Sequence, residues 1–306
     1  MTKVLVATVK PFAPAAVEQI ENICKNAGYE FALLEKYADQ SELISAVQGA
    51  DALIVRSDKV DKSVIDAVDN LKIVVRAGAG YDNVDLEAAT AKDVVVMNTP
   101  GQNSNAVAEL ALGMMVFQAR NQFNGKAGTE LRGKKLGIHA FGNVGRYVAN
   151  IARGFGMIVY AFDPFIAKDD IENEGVKAID SMEELYKQCQ YISLHIPSNE
   201  KTKKSINYKL LQSMPENAVL VNTARKEVID EDGLLEMFEK RSDFQYLSDI
   251  APDCAEEIGS KFEGRYFFTP KKMGAQTAEA NINAGIAAAN QIRDFLEEGN
   301  TQFKVN

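Results

Sequence analysis

Short runs of aliphatic and β-branched residues alternate with helical patterns along the whole chain, and few folds tolerate that alternation. Residues 4–7, 52–55, 73–75 and 94–97 are apolar without a polar side, as strands covered on both faces are. Between them, Val17, Ile20, Cys24 and Ala27 recur at helical spacing, as do Val64, Ile65 and Val68 after Asp61. Residues 103–120 read as a long helix capped by Asn103 or Ser104, and the polar stretch 121–132 as a linker. A second strand series follows at 136–140, 159–162, 191–196, 219–222, 246–248 and 266–268, and a long helix over 278–296 ends the chain. Repeated strand–helix units imply open parallel sheets, and two series in 306 residues imply two doubly wound (Rossmann-like) α/β domains.

Charge narrows the partners. With 34 basic and 43 acidic residues the net charge is -9, so nucleic acid and anionic membrane surfaces are poor partners. Nowhere is there the run of about 18 apolar residues that a bilayer span needs, and Lys10 and Pro11 stop the first apolar run early. Cys24, Cys189 and Cys254 are far apart, and His139 and His195 are the only histidines, so no metal cluster is expected. Scattered thiols suit a reducing compartment, and a cytoplasmic protein is expected.

The sharpest local feature is the strand–turn–helix pattern Leu136-Gly137-Ile138-His139-Ala140-Phe141-Gly142-Asn143-Val144-Gly145. Gly142 lets the backbone approach a pyrophosphate and Gly145 lets helix and strand pack closely, although Ala140 replaces the first fingerprint glycine. Asp163, 18 residues after Gly145, closes the next strand, where a carboxylate accepts both ribose hydroxyls and repels a 2′-phosphate. NAD is therefore the expected cofactor. Arg225 ends the strand of Asn222-Thr223-Ala224-Arg225, where it either forks onto a carboxylate or forms a surface ion pair. His195, in Leu194-His195-Ile196-Pro197, either borders the nicotinamide or is a structural histidine.

Taken in order, 140–145 with Asp163, 194–197, 222–225 and Thr269-Pro270-Lys271-Lys272-Met273-Gly274-Ala275 resemble the D-isomer-specific 2-hydroxyacid dehydrogenases. Residues 55–60, 76–89 and 103–109 are most similar to the family's short phosphoglycerate-oxidising branch. The resemblance implies cofactor contacts at Gly142, Asn143, Val144, Gly145, Asp163, His195, Pro197, Thr223, Ala224, Asp249 and Gly274. It implies substrate contacts at Arg56, Ser57, Lys59, Gly78, Ala79, Gly80 and Asn103, with Arg56 on a phosphate and Arg225 as a catalytic arginine. It further implies a discontinuous substrate domain (1–98 with 283–306), an NAD-binding domain (99–282), and a homodimer built on the 103–120 helix. A carboxyl-terminal regulatory domain is not expected.

Two departures matter. The family's acid–base histidine stands in P-H-x-G-A, whereas this chain has two lysines there and one extra residue. Counting back from Gly274 selects Lys272 and counting on from Pro270 selects Lys271; the glycine opens the next helix, which favours Lys272. The glutamate partner of that histidine would fall near Cys254, with Asp253 one residue early. A carboxylate beside lysine would raise a pKa already near 10.4, so losing it together with the histidine is coherent. Desolvation and the charge of Arg225 are expected to favour the neutral amine. The implied reaction is NAD-dependent oxidation of D-3-phosphoglycerate, a phosphorylated 2-hydroxy acid, to 3-phosphohydroxypyruvate in serine biosynthesis, without a metal. Glyoxylate or hydroxypyruvate reduction is the alternative within the family, and a non-catalytic NAD(H)-sensing corepressor the alternative outside it.

Overall fold

The computed structural model describes residues 1–306. The chain divides into two compact units, Met1–Asn103 with Gln276–Asn306, and Ser104–Ala275.

The first unit contains β1 (Lys3–Thr8), α1 (Pro14–Asn26), β2 (Glu30–Glu35), α2 (Gln40–Val47), β3 (Ala52–Val55), α3 (Lys62–Asp66), β4 (Ile73–Arg76), α4 (Leu86–Ala91) and β5 (Val95–Asn98). Its five strands are parallel, in the order β2-β1-β3-β4-β5. Side chains alternate faces along a strand. Val4, Val6, Ile54 and Val75 therefore enter one core layer, and Leu5, Leu53, Val55 and Val74 the other. Both layers are covered, which is why these strands read as unbroken apolar runs. Burying each such side chain contributes about 1.5–3 kcal/mol. On α1 the buried row is Ala16, Ile20 and Cys24; Val17 and Ala27, expected on that face, lie at its margin.

The second unit begins with α5 (Ser104–Ala119), followed by β6 (Lys135–His139), α6 (Asn143–Gly154), β7 (Ile158–Phe162), α7 (Lys168–Glu172), β8 (Lys177–Ala178) and α8 (Met182–Gln188). It continues with β9 (Tyr191–Leu194), α9 (Tyr208–Leu211), β10 (Val219–Asn222), α10 (Glu231–Lys240), β11 (Gln245–Ser248), α11 (Ala255–Lys261) and β12 (Tyr266–Phe268). The seven strands are parallel, in the order β12-β11-β10-β9-β6-β7-β8.

The chain then returns to the first unit as α12 (Ala278–Glu298). Thr277 caps this helix by accepting from the Ala280 N–H at 3.1 Å, and Gly299 ends it with φ +70°. Ala284, Ala288 and Ile292 pack beside Ile20 in the first core. The boundary expected at 282/283 falls inside α12, whereas the units part at 275/276. The polar stretch after α5 turns sharply, with Asn121, Gln122 and Phe123 all at positive φ.

Candidate active site

In a doubly wound sheet, ligands gather at the carboxyl ends of the strands, foremost where the strand order reverses. In the second unit that reversal lies between β6 and β9. The loop leaving β6 keeps the geometry of the missing glycine: Ala140 sits at φ +78° and donates to the Phe162 carbonyl at 2.9 Å. A side chain in this left-handed region costs about 1 kcal/mol. Ala140→Gly is accordingly expected to raise stability by about 0.5–1 kcal/mol, read as a higher urea midpoint at unchanged slope. An unmoved midpoint would show that the alanine carries no strain.

Gly142 caps α6, and a Cβ there would meet nothing within 4 Å, so the backbone is open to a ligand. At Gly145 a Cβ would run into the Ala140 carbonyl oxygen, which explains the glycine by packing. The first-turn N–H groups of α6, at Asn143 and Val144, are oriented as helix starts are towards anions. Asp163 follows β7, and its carboxylate accepts from the N–H groups of Phe141 and Phe165, each at 2.8 Å. Each oxygen keeps a second acceptor site. Asp163→Ala is expected to narrow the preference for NAD over NADP, measured as the ratio of kcat/KM values. An unchanged ratio would show that this carboxylate does not face the ribose.

Beyond β9, the His195 N–H donates to the His139 carbonyl at 2.9 Å, and His195 Nε2 lies 3.0 Å from Ser193 Oγ. His139 is buried, with Nδ1 3.3 Å from the Tyr186 hydroxyl. Burial pushes His139 down to about 4, while burial and then the neighbouring His139 push His195 down to about 3. Both rings are neutral at pH 7, and neither is an acid–base group suited to that range. Pro197 is exposed just beyond.

The remaining strand ends bring the cationic residues together. Buried Asn222 braces the turn after β10, accepting from the Ala224 N–H at 2.9 Å and donating to the Arg225 carbonyl at 3.0 Å. The turn presents the Ala224 carbonyl oxygen to two cations: Arg225 Nη1 and Lys272 Nζ each donate to it at 3.0 Å. Sharing one acceptor holds those nitrogens within about 6 Å of each other, by the two distances added. Lys271 instead offers its carbonyl to Thr269 Oγ1 at 2.8 Å. Lys272 is exposed, not desolvated as the sequence suggested, because it sits within the surface loop between β12 and α12, the helix opening at Ala278 and not at Gly274. Asp253 pairs with Lys226 at 2.5 Å.

One organising residue has a role that spacing does not reveal. Asp249, buried after β11, accepts from the N–H groups of Met273 at 2.7 Å and Gly274 at 2.8 Å, and from Thr269 Oγ1 at 3.2 Å. Its carboxylate straps down the loop that carries Lys272. Thr223 Oγ1, two residues before Arg225, is buried and has no hydrogen-bond partner. Open backbone at Gly142, the carboxylate after β7 and this orphaned hydroxyl fit a dinucleotide such as NAD along these strand ends.

In the first unit the strand order reverses between β1 and β3. Arg56 leaves β3 there: Nη1 donates to the carbonyls of Lys10 at 2.8 Å and Pro11 at 2.9 Å, Nη2 donates to Asn281 Oδ1, and the guanidinium lies over Phe12. Ser57 is exposed, and Lys59 is 3.5 Å from Asp61. The loop after β4 runs through Gly78 at φ +149°, where a Cβ would collide with the Arg76 side chain. Asn98 Nδ2 donates to the Ala79 carbonyl at 2.6 Å, while Gly80 and Asn103 are half-buried. Asn281 and Asp58 were not legible as site residues. Asp58 is buried and accepts from the Val9 N–H at 2.6 Å, the Tyr37 hydroxyl at 2.9 Å and the Arg56 N–H at 3.2 Å.

Comparison with known proteins places this arrangement. Residues 109–257 match the NAD binding domain of the D-isomer specific 2-hydroxyacid dehydrogenases. An NAD+-bound 3-phosphoglycerate dehydrogenase of Entamoeba histolytica is similar in structure, with TM-score 0.87 and 47% identity over 100% of this chain and 98% of that one. D-3-phosphoglycerate dehydrogenase of Methanocaldococcus jannaschii is 37% identical over 84% of this chain and 52% of its own length, so this chain spans about half of that relative. Hydroxypyruvate reductase of Thermotoga maritima is 36% identical over 88% of this chain and 92% of its own. The chain therefore belongs to the D-isomer specific 2-hydroxyacid dehydrogenases, and its second unit carries that family's NAD-binding domain.

Proposed function

We propose that this protein is an NAD-dependent D-3-phosphoglycerate dehydrogenase whose acid–base group is Lys272 in place of a histidine. The observation that carries the proposal is the convergence of Arg225 and Lys272 on the Ala224 carbonyl, in a protein whose two histidines are held neutral elsewhere. The bound nicotinamide supplies the acceptor for the hydride leaving C2. The neutral Lys272 amine takes the proton of the C2 hydroxyl as the carbonyl forms, and in reduction the ammonium returns it. Arg225 holds the carboxylate and polarises the forming carbonyl oxygen. Asp249 keeps the lysine loop in place through three hydrogen bonds.

Arg56 takes the substrate phosphate. Its contacts leave Nε–H and one Nη2–H without a protein partner, a side-on fork suited to two phosphate oxygens. Arg56→Ala is expected to raise KM for phosphoglycerate about 30- to 150-fold, the loss of about 2–3 kcal/mol, with KM for NAD unchanged. Unchanged phosphoglycerate kinetics would refute the assignment. The same reading makes the protein a cytoplasmic homodimer with α5 at the interface.

The test of function is direct. Protein, NAD and D-3-phosphoglycerate at alkaline pH should produce absorbance at 340 nm, with D-glycerate far poorer. Hydroxypyruvate or glyoxylate reduction with no discrimination by phosphate would favour the second reading, supported by the reductase that aligns over 92% of its length. Absence of turnover with every 2-hydroxy and 2-keto acid would leave a non-catalytic NAD(H) binder.

A further inference from the structure

We infer that Lys10, not Lys59, is the second cation of the substrate-phosphate subsite; this rests on the phosphoglycerate reading above. The first sheet reverses its strand order between β1 and β3, so its ligand crevice lies where those two strands end. Arg56 leaves β3 at that point, and Lys10 stands just past the end of β1.

The two loops are built as one piece. The Lys10 carbonyl accepts from Arg56 Nη1 and from Thr8 Oγ1, both at 2.8 Å. Buried Asp58 bridges the same loops by accepting from the N–H groups of Val9 and Arg56. The backbone of Lys10 is therefore fixed against the residue assigned to the phosphate.

Charge points the same way. The Lys10 side chain is exposed and pairs with no carboxylate. Asp58, the carboxylate bound into this junction, is buried and already engaged by three donors. Lys59 Nζ is instead shared with Asp61 at 3.5 Å, so part of its charge is already offset. Arg56 donates three of its hydrogens to protein oxygens and keeps at most a two-pronged fork. A phosphate monoester presents three acceptor oxygens and nearly two negative charges, which one guanidinium leaves partly uncompensated. An ammonium on a flexible stem at Lys10 meets that need as a second point charge.

The experiment compares kcat/KM for D-3-phosphoglycerate and for D-glycerate in wild type, Lys10→Met and Lys59→Met, with KM for NAD as a control. Lys10→Met is expected to lower the phosphoglycerate value roughly 10- to 50-fold and to leave D-glycerate and NAD unchanged. Lys59→Met should stay within about twofold on both acids, because its charge is already shared with Asp61. Inorganic phosphate, as a competitive inhibitor, should weaken in the Lys10 variant alone. A loss carried by Lys59→Met, an equal loss on both acids, or no loss in Lys10→Met overturns the assignment while the phosphoglycerate reading stands. A wild type that does not discriminate between the two acids overturns both.

Discussion

Lys272→Ala is expected to lower kcat for phosphoglycerate oxidation by roughly 10²–10⁴ while leaving KM for NAD little changed. The alanine keeps the Asp249 strap, which holds backbone N–H groups and not the lysine side chain, so the loop and the cofactor contacts should persist. On the proposed mechanism, only the group that exchanges the hydroxyl proton is lost. Lys271→Ala should cost far less, because Lys271 engages its neighbours through its carbonyl. A dead Lys271 variant beside an active Lys272 variant would shift the chemistry by one residue. Full activity in both would remove lysine from the mechanism.

Acid should weaken the second unit strongly, through the two histidines. Burial holds His139 down at about 4 and His195 at about 3, whereas each titrates near 6.5 in an unfolded chain. The folded state stays neutral across that interval and the unfolded state takes up protons, so stability falls as pH drops below 6.5. From pH 7 to pH 5 buried His139 accounts for a loss of about 2 kcal/mol, and half-buried His195 adds a smaller one, together a large share of ordinary stability. Urea midpoints at the two pH values measure it. His139→Asn with His195→Asn, less stable at pH 7, should show a much flatter dependence. An equally steep fall in the double variant would assign the acid sensitivity to carboxylates.

The strands buried on both faces were legible because apolar residues dominate there, and β3 and β10 begin and end where their runs do; the half-buried edge strand β12 matches its run as well. The edge strand β2 was not, since its side chains are half-buried or exposed and glutamates stand at both ends. Nor was β8, two residues long. β9 stops at Leu194, two residues short of its apolar run, and this frees His195 for the loop.

The site divides in the same way. Residues at strand ends could be named from motif spacing, because a parallel sheet delivers them to one edge. The polar ties between them could not. Asn281 reaches Arg56 across 225 residues, and the carboxylate of Asp249 finds its three donors 20 to 25 residues away. Ala140 hides its left-handed backbone behind a residue that rarely adopts it.

The pH dependence of kcat for D-3-phosphoglycerate oxidation by the wild-type enzyme tests the lysine mechanism most directly. Only the neutral amine can serve as the base, so kcat should climb as pH rises. Reduction of 3-phosphohydroxypyruvate should run the other way, favoured where Lys272 is protonated. A profile that levels off near pH 7 in oxidation, as a histidine base would give, or one unaltered by Lys272→Ala, would contradict the mechanism.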